Sequence, residues 1–124
     1  MPLVLEEKRT RGVPRGSQLL VKVVSTFSSV NATGRVDDPN DVSTDLTHAA
    51  IFNRVKRVPL SSSGLNIARV SVILNATTQQ AATVEYSIED SAGTEIRKWQ
   101  PQFSGKSSGD DKFLGRAKWS ISVD

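Results

Sequence analysis

The chain has 124 residues, no cysteine and a formal net charge of +3, with 37% apolar and 23% charged residues. This length suits one domain with a substantial core, and the composition is less extreme than that of disordered chains. The absence of cysteine excludes disulfides, thiolate metal sites and a cysteine nucleophile. No apolar run approaches the roughly 18 residues that a membrane span requires, so we expect no membrane partner.

The N-terminal stretch has the character of an extended basic arm over residues 1–17. Its prolines and glycines oppose regular structure, and its charged side chains oppose burial. The apolar start precedes the charges, the reverse of a secretory signal peptide, so we expect a protein of the virion or the cytoplasm. We expect a neighbouring subunit to hold this arm, and residues 18–124 to form a single β-rich domain.

The first predicted strand and loop follow the arm. In QLLVKVVSTF, alternate positions are apolar at Leu19, Val21 and Val23 and reach Phe27, which predicts a strand from about 18 to 28. The next segment, NATGRVDDPND, contains a glycine and a proline among polar residues and predicts a turn-rich loop.

Residues 41–57 contain the one helical candidate. Asp41 or Ser43 can cap its start, and three cations stand near its end, where the helix dipole favours positive charge. Pro59 would terminate it. The alternative is a loop followed by a strand over 49–58, because AAIFNRVKRV also alternates in part.

The remaining sequence alternates between apolar and polar residues with period two. The segments LNIARVSVILNA, ATVEYSIED, TEIRKWQPQF and KFLGRAKWSISVD each follow this pattern. Together with the first strand they predict a mainly β protein: an antiparallel sheet or β-sandwich of at least five strands, with at most one short helix at about 41–57.

Core burial is the default expectation for both tryptophans, and the sequence offers an alternative for one of them. The apolar face of the last strand is expected to be buried and comprises Phe113, Gly115, Ala117, Trp119, Ile121 and Val123. Trp99 shares its alternation with Glu95 and Arg97, which makes it a candidate for an exposed stacking or interface position.

No motif in the sequence supports catalysis. Gly105-Lys106-Ser107 resembles the end of a phosphate-binding loop, but Gln100 stands where that loop needs its first glycine, and a strand rather than a helix is predicted to follow. His48 is the one histidine and lacks a converging nucleophile, so we interpret it as a surface or packing residue. The aspartates of the 37–41 loop lack the spacing of a calcium loop. We therefore predict a non-enzymatic protein without cofactor or metal.

The charged residues are segregated along the chain, which favours a polyanion partner or contacts between copies. The polar face of the last strand carries Lys112, Arg116 and Lys118, and the arm adds Arg9, Arg11 and Arg15. These six are the predicted nucleic-acid contacts. The alternative is a solvated face, or cations that pair with Glu85 and Glu89 on a neighbouring strand.

These features favour a structural or assembly protein: a small viral coat-type subunit that self-associates as a homo-oligomer and contacts single-stranded nucleic acid through basic residues. The comparison with coats is one of class, because no stretch of residues carries a family motif. The alternative is a stand-alone β-sandwich that binds nucleic acid, peptide or carbohydrate.

Overall fold

Alternating apolar side chains build ten strands in the computed structural model, which describes residues 3–108 and 110–124. Strands make up 65% of the chain and helix 3%, so the predicted mainly β class is confirmed. The strands in chain order are β1 (Leu3–Val13), β2 (Ser17–Val24), β3 (Asn31–Asp37), β4 (Ser43–Leu46), β5 (Lys56–Leu60), β6 (Gly64–Leu74), β7 (Gln80–Glu89), β8 (Glu95–Trp99), β9 (Gln102–Gly105) and β10 (Phe113–Val123). One helical turn, α1 (His48–Ile51), lies between β4 and β5.

The strands form two five-stranded sheets. Sheet A has the order β1-β10-β6-β3-β4, and sheet B has the order β5-β2-β7-β8. The short strand β9 pairs with the first half of β7, and β8 pairs with the second half. The β1–β10 pair is parallel, and every other named strand pair is antiparallel. Within the described ranges, no helix is long and apolar enough to cross a bilayer.

The inner faces of the two sheets meet in one apolar core. In β10, the inward residues from Gly115 to Val123 are buried as predicted, and Phe113 is half-buried. The facing strand β7 buries Val84, Tyr86 and Ile88. Because burying one such aliphatic or aromatic side chain stabilises by about 1.5–3 kcal/mol, these two faces hold the sandwich together.

An aromatic cluster joins the sheets at the centre of this core. The Trp119 ring of sheet A lies 5.6 Å from Tyr86 and 6.1 Å from Trp99, both of sheet B. The Tyr86 hydroxyl donates a 2.9 Å hydrogen bond to the carbonyl oxygen of Ala117. Burial raises the pKa of Tyr86 above its usual range, so this donor keeps its proton.

Trp99 packs against the core, as is the default for tryptophan, and the alternative of an exposed stacking position is wrong. The β7–β8 register places Trp99 directly opposite Tyr86, and cross-strand partners share a face. Trp99 therefore stacks on Tyr86 at 5.7 Å and packs half-buried against the core.

The predicted loop after β2 is in fact strand β3, and β2 ends earlier than expected. Gly34 allows β3 to pair closely with β6, because a Cβ at this position would collide with the Arg69 carbonyl oxygen. At the end of β2, the Asn53 side chain bonds both the N–H and the carbonyl of Ser25 at 3.0 Å. The chain turns there and leaves Phe27 38% exposed.

The predicted helix over 41–57 is reduced to the single turn α1. Residues of β4 pair with β3 from Asp37↔Ser43 to Gly34↔Leu46, so backbone pairing replaces the expected N-terminal turns. The helical turn ends near Asn53, which has a left-handed φ of 53°. The alternative strand over 49–58 is found in part, displaced to β5.

The first residues of the arm, 3–13, form β1 at the edge of the chain's own sheet. They pair with β10 from Leu3↔Leu114 to Thr10↔Ile121. Thr10 and Val13 are buried, and the Trp119 indole N–H donates a 2.7 Å hydrogen bond to Thr10 Oγ1. Residues 3–9 are exposed. The arm is therefore anchored at its C-terminal end and uncovered at its N-terminal end.

We expect Trp119→Ala to destabilise the fold by about 3–5 kcal/mol, because the change empties the centre of the core. Urea denaturation measures the loss. Leu65→Ala is the control, since Leu65 is 48% exposed on β6, and surface changes of this kind stay within about 0.5 kcal/mol. Equal losses in the two variants would contradict the central position of Trp119.

Thr10→Val tests the anchor of β1. Valine preserves the shape of threonine but leaves the buried Trp119 indole N–H without its acceptor, so we expect a loss of about 1–3 kcal/mol in the free energy of unfolding. Thr10→Ser keeps the hydroxyl and should lose less. If serine and valine cost the same, the hydrogen bond is not what holds β1.

Candidate nucleic-acid interface

The outward side chains of β10 begin a basic surface on sheet A. Trp119 points inward, so its neighbour Lys118 and the alternate residue Arg116 point outward. In the β10–β6 register, Lys118 lies opposite Arg69, and in the β3–β6 register Arg69 lies opposite Arg35. Directly opposed residues share a face, so Arg35, Arg69 and Lys118 form one row across three adjacent strands.

Strand β1 extends this surface at the sheet edge. Arg9 lies opposite Ser120 of β10, and Arg11 lines the same depression as Arg9 and Lys118. We define the basic face as the outward cations of sheet A. Its members are Arg9, Arg11, Arg35, Arg69, Arg116 and Lys118.

The spacing of these cations follows from sheet geometry. Successive same-face residues on a strand, such as Arg116 and Lys118, lie roughly 6–7 Å apart, and neighbouring strands lie about 4.8 Å apart. Such distances are comparable with the spacing of phosphates along a single nucleic-acid chain. The sheet therefore presents a two-dimensional array of cations that an extended polyanion can follow.

Asp37 is the acid that organises one end of the row. Its Oδ2 lies 3.0 Å from Arg69 Nη1 and 3.2 Å from Arg35 Nε, and its Oδ1 accepts a hydrogen bond from the Ser43 hydroxyl. The Ser43 hydroxyl first, and then the two guanidinium groups, hold the pKa of Asp37 below its usual value. Asp37 therefore stays ionised and fixes the directions of both arginines.

The other members of the face have different surroundings. Arg116 donates from Nε to Ser71 Oγ at 3.3 Å, a hydroxyl that neutralises no charge. Glu7 lies opposite Lys118 in the β1–β10 register, and Asp45 lies opposite Arg35. Asp38 and Asp41 also line the depression beside Arg35 and Arg69. The excess of cations over acids therefore lies toward β10 and β1, where a polyanion would meet a net positive surface.

Two of the six predicted contact residues lie apart from the basic face. Arg15 is in the turn between β1 and β2, where its guanidinium bonds Ser63 Oγ. Lys112 precedes β10 and is exposed beside that strand's first residue. The two flank opposite ends of β10, because Ser63 Oγ in turn bonds the backbone carbonyl of Asp124.

The structure places two further cations, Arg35 and Arg69, on the same face as Arg116 and Lys118. The signal for Arg69 was present, because it stands between inward Ala68 and Val70 in the β6 alternation. Arg35 lay in the segment predicted as a loop, so no face could be assigned to it. The sequence also did not predict that β6 and β10 are neighbouring strands.

The alternative that β10 cations pair with Glu85 and Glu89 is wrong. Both acids lie on β7 of sheet B, whereas β10 has β1 and β6 as its neighbours. Glu89 Oε1 instead accepts from Arg57 Nη1 at 2.8 Å, and Glu85 lies opposite Lys22. On the outer face of sheet B, these acids thus offset the charge of neighbouring cations of the same sheet.

The residues considered for catalysis have structural contacts. His48 Nδ1 accepts the Ala32 N–H at 3.0 Å, and its ring stacks on Phe52 at 4.5 Å. In the Gly-Lys-Ser segment, the Ser107 hydroxyl donates to the Leu74 carbonyl at 2.5 Å, and its N–H donates to the Ala76 carbonyl. Ser107 therefore directs both donors to the backbone, where a phosphate loop would direct them to a ligand.

Comparison with known protein families, with curated proteins and with solved structures gives no match to this chain. The geometry of the basic face and of the exposed edge strand is the ground on which a function is proposed.

We expect the stabilisation contributed by Asp37 to vary with pH. Its folded pKa is lowered, so the contribution is complete above the unfolded pKa of about 3.9 and is lost as pH falls through the folded value. The difference in unfolding free energy between wild type and Asp37→Asn should therefore shrink below about pH 4. Glu95→Gln, at an exposed carboxylate on β8, is the control for a generic carboxylate effect. A pH-independent difference for Asp37→Asn would contradict the proposed ion pairs.

Proposed function

We propose that the protein is a non-enzymatic, coat-type structural subunit that assembles with copies of itself and holds single-stranded nucleic acid against the basic face of sheet A. The observation that carries the proposal is the row of Arg35, Arg69 and Lys118 across three adjacent strands. Phosphate contacts by such side chains release condensed counterions and supply affinity without reading sequence.

The shape of the surface favours a single strand over a duplex. The outer face of a sheet offers no helix to enter a major groove, and sequence readout there needs an inserted element. Leu65 and Ile67 line the same depression as Arg9 and Lys118 and would provide apolar contacts for bases that are not paired. Arginine guanidinium groups stack on bases as well as bonding phosphates.

The arrangement of like charges also supports a polyanion partner. Lys118 faces Arg69 and Arg69 faces Arg35 in consecutive strand pairs, and like charges directly opposite each other are destabilising. Asp37 relieves this repulsion at the Arg35–Arg69 end. A bound phosphate chain would relieve it at Arg116 and Lys118 as well.

We expect Arg116→Glu combined with Lys118→Glu to weaken the binding of single-stranded RNA. Loss of two phosphate contacts should flatten the plot of log affinity against log salt by roughly 1.4 or more, since each contact on a single strand contributes about 0.7. Filter binding at several salt concentrations measures both quantities. The RNA retained by purified particles gives a second readout.

The matched control is Lys22→Glu with Lys98→Glu, which makes the same change of charge on the outer face of sheet B. Asp37→Asn should have the opposite effect on RNA binding. It removes the acid that binds Arg35 and Arg69, so the affinity should rise and the salt slope should steepen. Equal weakening by the two double reversals would show non-specific charge attraction and remove the basic face from the proposed function.

Assembly separates the coat-type subunit from a stand-alone binding module. Size-exclusion chromatography with light scattering should show a large homogeneous particle with absorbance at 260 nm from bound nucleic acid. A monomer that binds RNA through the same face would favour the binding module. A monomer without affinity for RNA would overturn both.

A further inference from the structure

The outward edge of β1 is the longest strand edge left unpaired in the described part of the chain. The strand has 11 residues and lies at the end of sheet A with β10 on its inner side. The remaining edges are short or interrupted: β4 has four residues, β5 contains Pro59, and Pro101 separates β8 from β9. Proline and short length blunt an edge, whereas a long strand is a template for pairing with another chain.

Both faces of β1 are uncovered over its first part. Residues 3–9 are exposed, including Leu3 at 50% and Leu5 at 55%. The inward-facing Val4, Glu6 and Lys8 lie opposite the inward residues of β10, yet they too are exposed. Sheet B therefore stops short of β1 and leaves both its edge and its faces accessible.

We propose that this edge pairs antiparallel with the same edge of a second copy, about a two-fold axis through Glu7. The inference rests on the proposed function in one respect, because it names the contact by which that assembly joins two subunits. When the two-fold axis is perpendicular to the sheet, residues that face each other across the two strands point to the same side of the sheet. Glu6 then lies opposite Lys8 of the partner subunit, and Lys8 lies opposite the partner's Glu6.

The charge pattern of β1 favours this orientation. Parallel pairing in register would place Glu6, Glu7, Lys8 and Arg9 each beside an identical residue, and like charges directly opposite are destabilising. In the antiparallel arrangement one like pair remains, Glu7 with the partner's Glu7. That pair lies between Lys118 of each copy, because Lys118 is the β10 neighbour of Glu7.

The register follows from the same residues. An axis through Glu6 would bring no opposite charges into direct pairing, since Lys8 would then face the partner's Val4. An axis through Lys8 would bring Glu7 opposite the partner's Arg9, but it would place Lys8 against itself and draw Gly12 into the ladder, where φ is 71° and the β1–β10 register shifts. The axis through Glu7 keeps the central pairs within residues 4–10, which precede that irregularity.

The pairing has a consequence for the basic face. The two-fold axis keeps the outer faces on the same side, so the two five-stranded sheets A become one continuous sheet. The rows of Arg35, Arg69 and Lys118 from the two copies then flank the axis on one surface. A single nucleic-acid strand would meet both rows, which strengthens binding beyond that of one subunit.

Charge exchange between copies tests the register. Glu6→Lys places lysine opposite the partner's Lys8, and Lys8→Glu places glutamate opposite the partner's Glu6. We expect each variant alone to raise the dimer dissociation constant roughly tenfold or more. An equimolar mixture should restore association, because both pairs formed by positions 6 and 8 are then opposite in charge. Sedimentation velocity measures the three samples, and thermal melting checks that each variant is folded.

A cysteine at the axis gives a second test, since the natural chain has none. Glu7→Cys should form a disulfide-linked dimer under mild oxidation, because directly opposed Cβ atoms lie about 4.5–5.5 Å apart and a small shift brings them within disulfide reach. Glu95→Cys, exposed on β8 of sheet B, is the control. The β1 contact is supported if Glu7→Cys crosslinks well above the control and if mixing the Glu6→Lys and Lys8→Glu variants restores dimer formation.

The outcomes separate the two proposals. If particles form by light scattering but Glu7→Cys crosslinks no more than Glu95→Cys, the β1 contact is overturned and the proposed assembly stands. If mixing the two charge variants does not restore association, the register through Glu7 is overturned. If the wild-type chain is monomeric at all concentrations, both the contact and the coat-type function fail.

Discussion

The inward position of Trp119 is the constraint on which the remaining structure depends. Its ring meets Tyr86 and Trp99 of the opposite sheet, and its indole N–H bonds Thr10 of β1. One side chain therefore joins the sheets and anchors the edge strand. Because side chains alternate along a strand, burying Trp119 also sends Arg116 and Lys118 outward, and a slip of one residue would exchange the two faces.

The basic face carries repulsion that the fold alone does not require. Arg35, Arg69 and Lys118 stand side by side, although charges of opposite sign at these positions would stabilise the sheet. Sheet B shows the alternative arrangement, with Arg57 paired to Glu89 and Lys22 opposite Glu85. In sheet A, Asp37, Asp45 and Glu7 offset only part of the positive charge, because Arg9, Arg11 and Arg116 add three further cations. A partner with phosphate groups would give a physical reason for this excess.

The edge strand and the basic face are connected through Glu7. Glu7 neighbours Lys118 on the outer face and lies on the proposed axis between copies. Pairing of two β1 strands would bring the two basic faces onto one surface, so assembly and nucleic-acid binding would strengthen each other by linkage. Residues 3–9 are exposed in the single chain, and this coupling would give them a role.

The period-two pattern by itself determined the mainly β class, the buried face of β10 and the outward direction of Arg116 and Lys118, because alternation is a local property of an extended chain. It failed where tertiary contacts outweighed local signals. Residues that resemble a helix start instead pair as β4 with β3, and Gly34, which resembles a turn residue, permits close approach to Arg69. Only the tertiary structure decided the row of Arg35, Arg69 and Lys118, the inward position of Trp99 and the free edge of β1. Each of these depends on which strands are neighbours and in what register, and strand order arises from contacts between residues far apart in sequence.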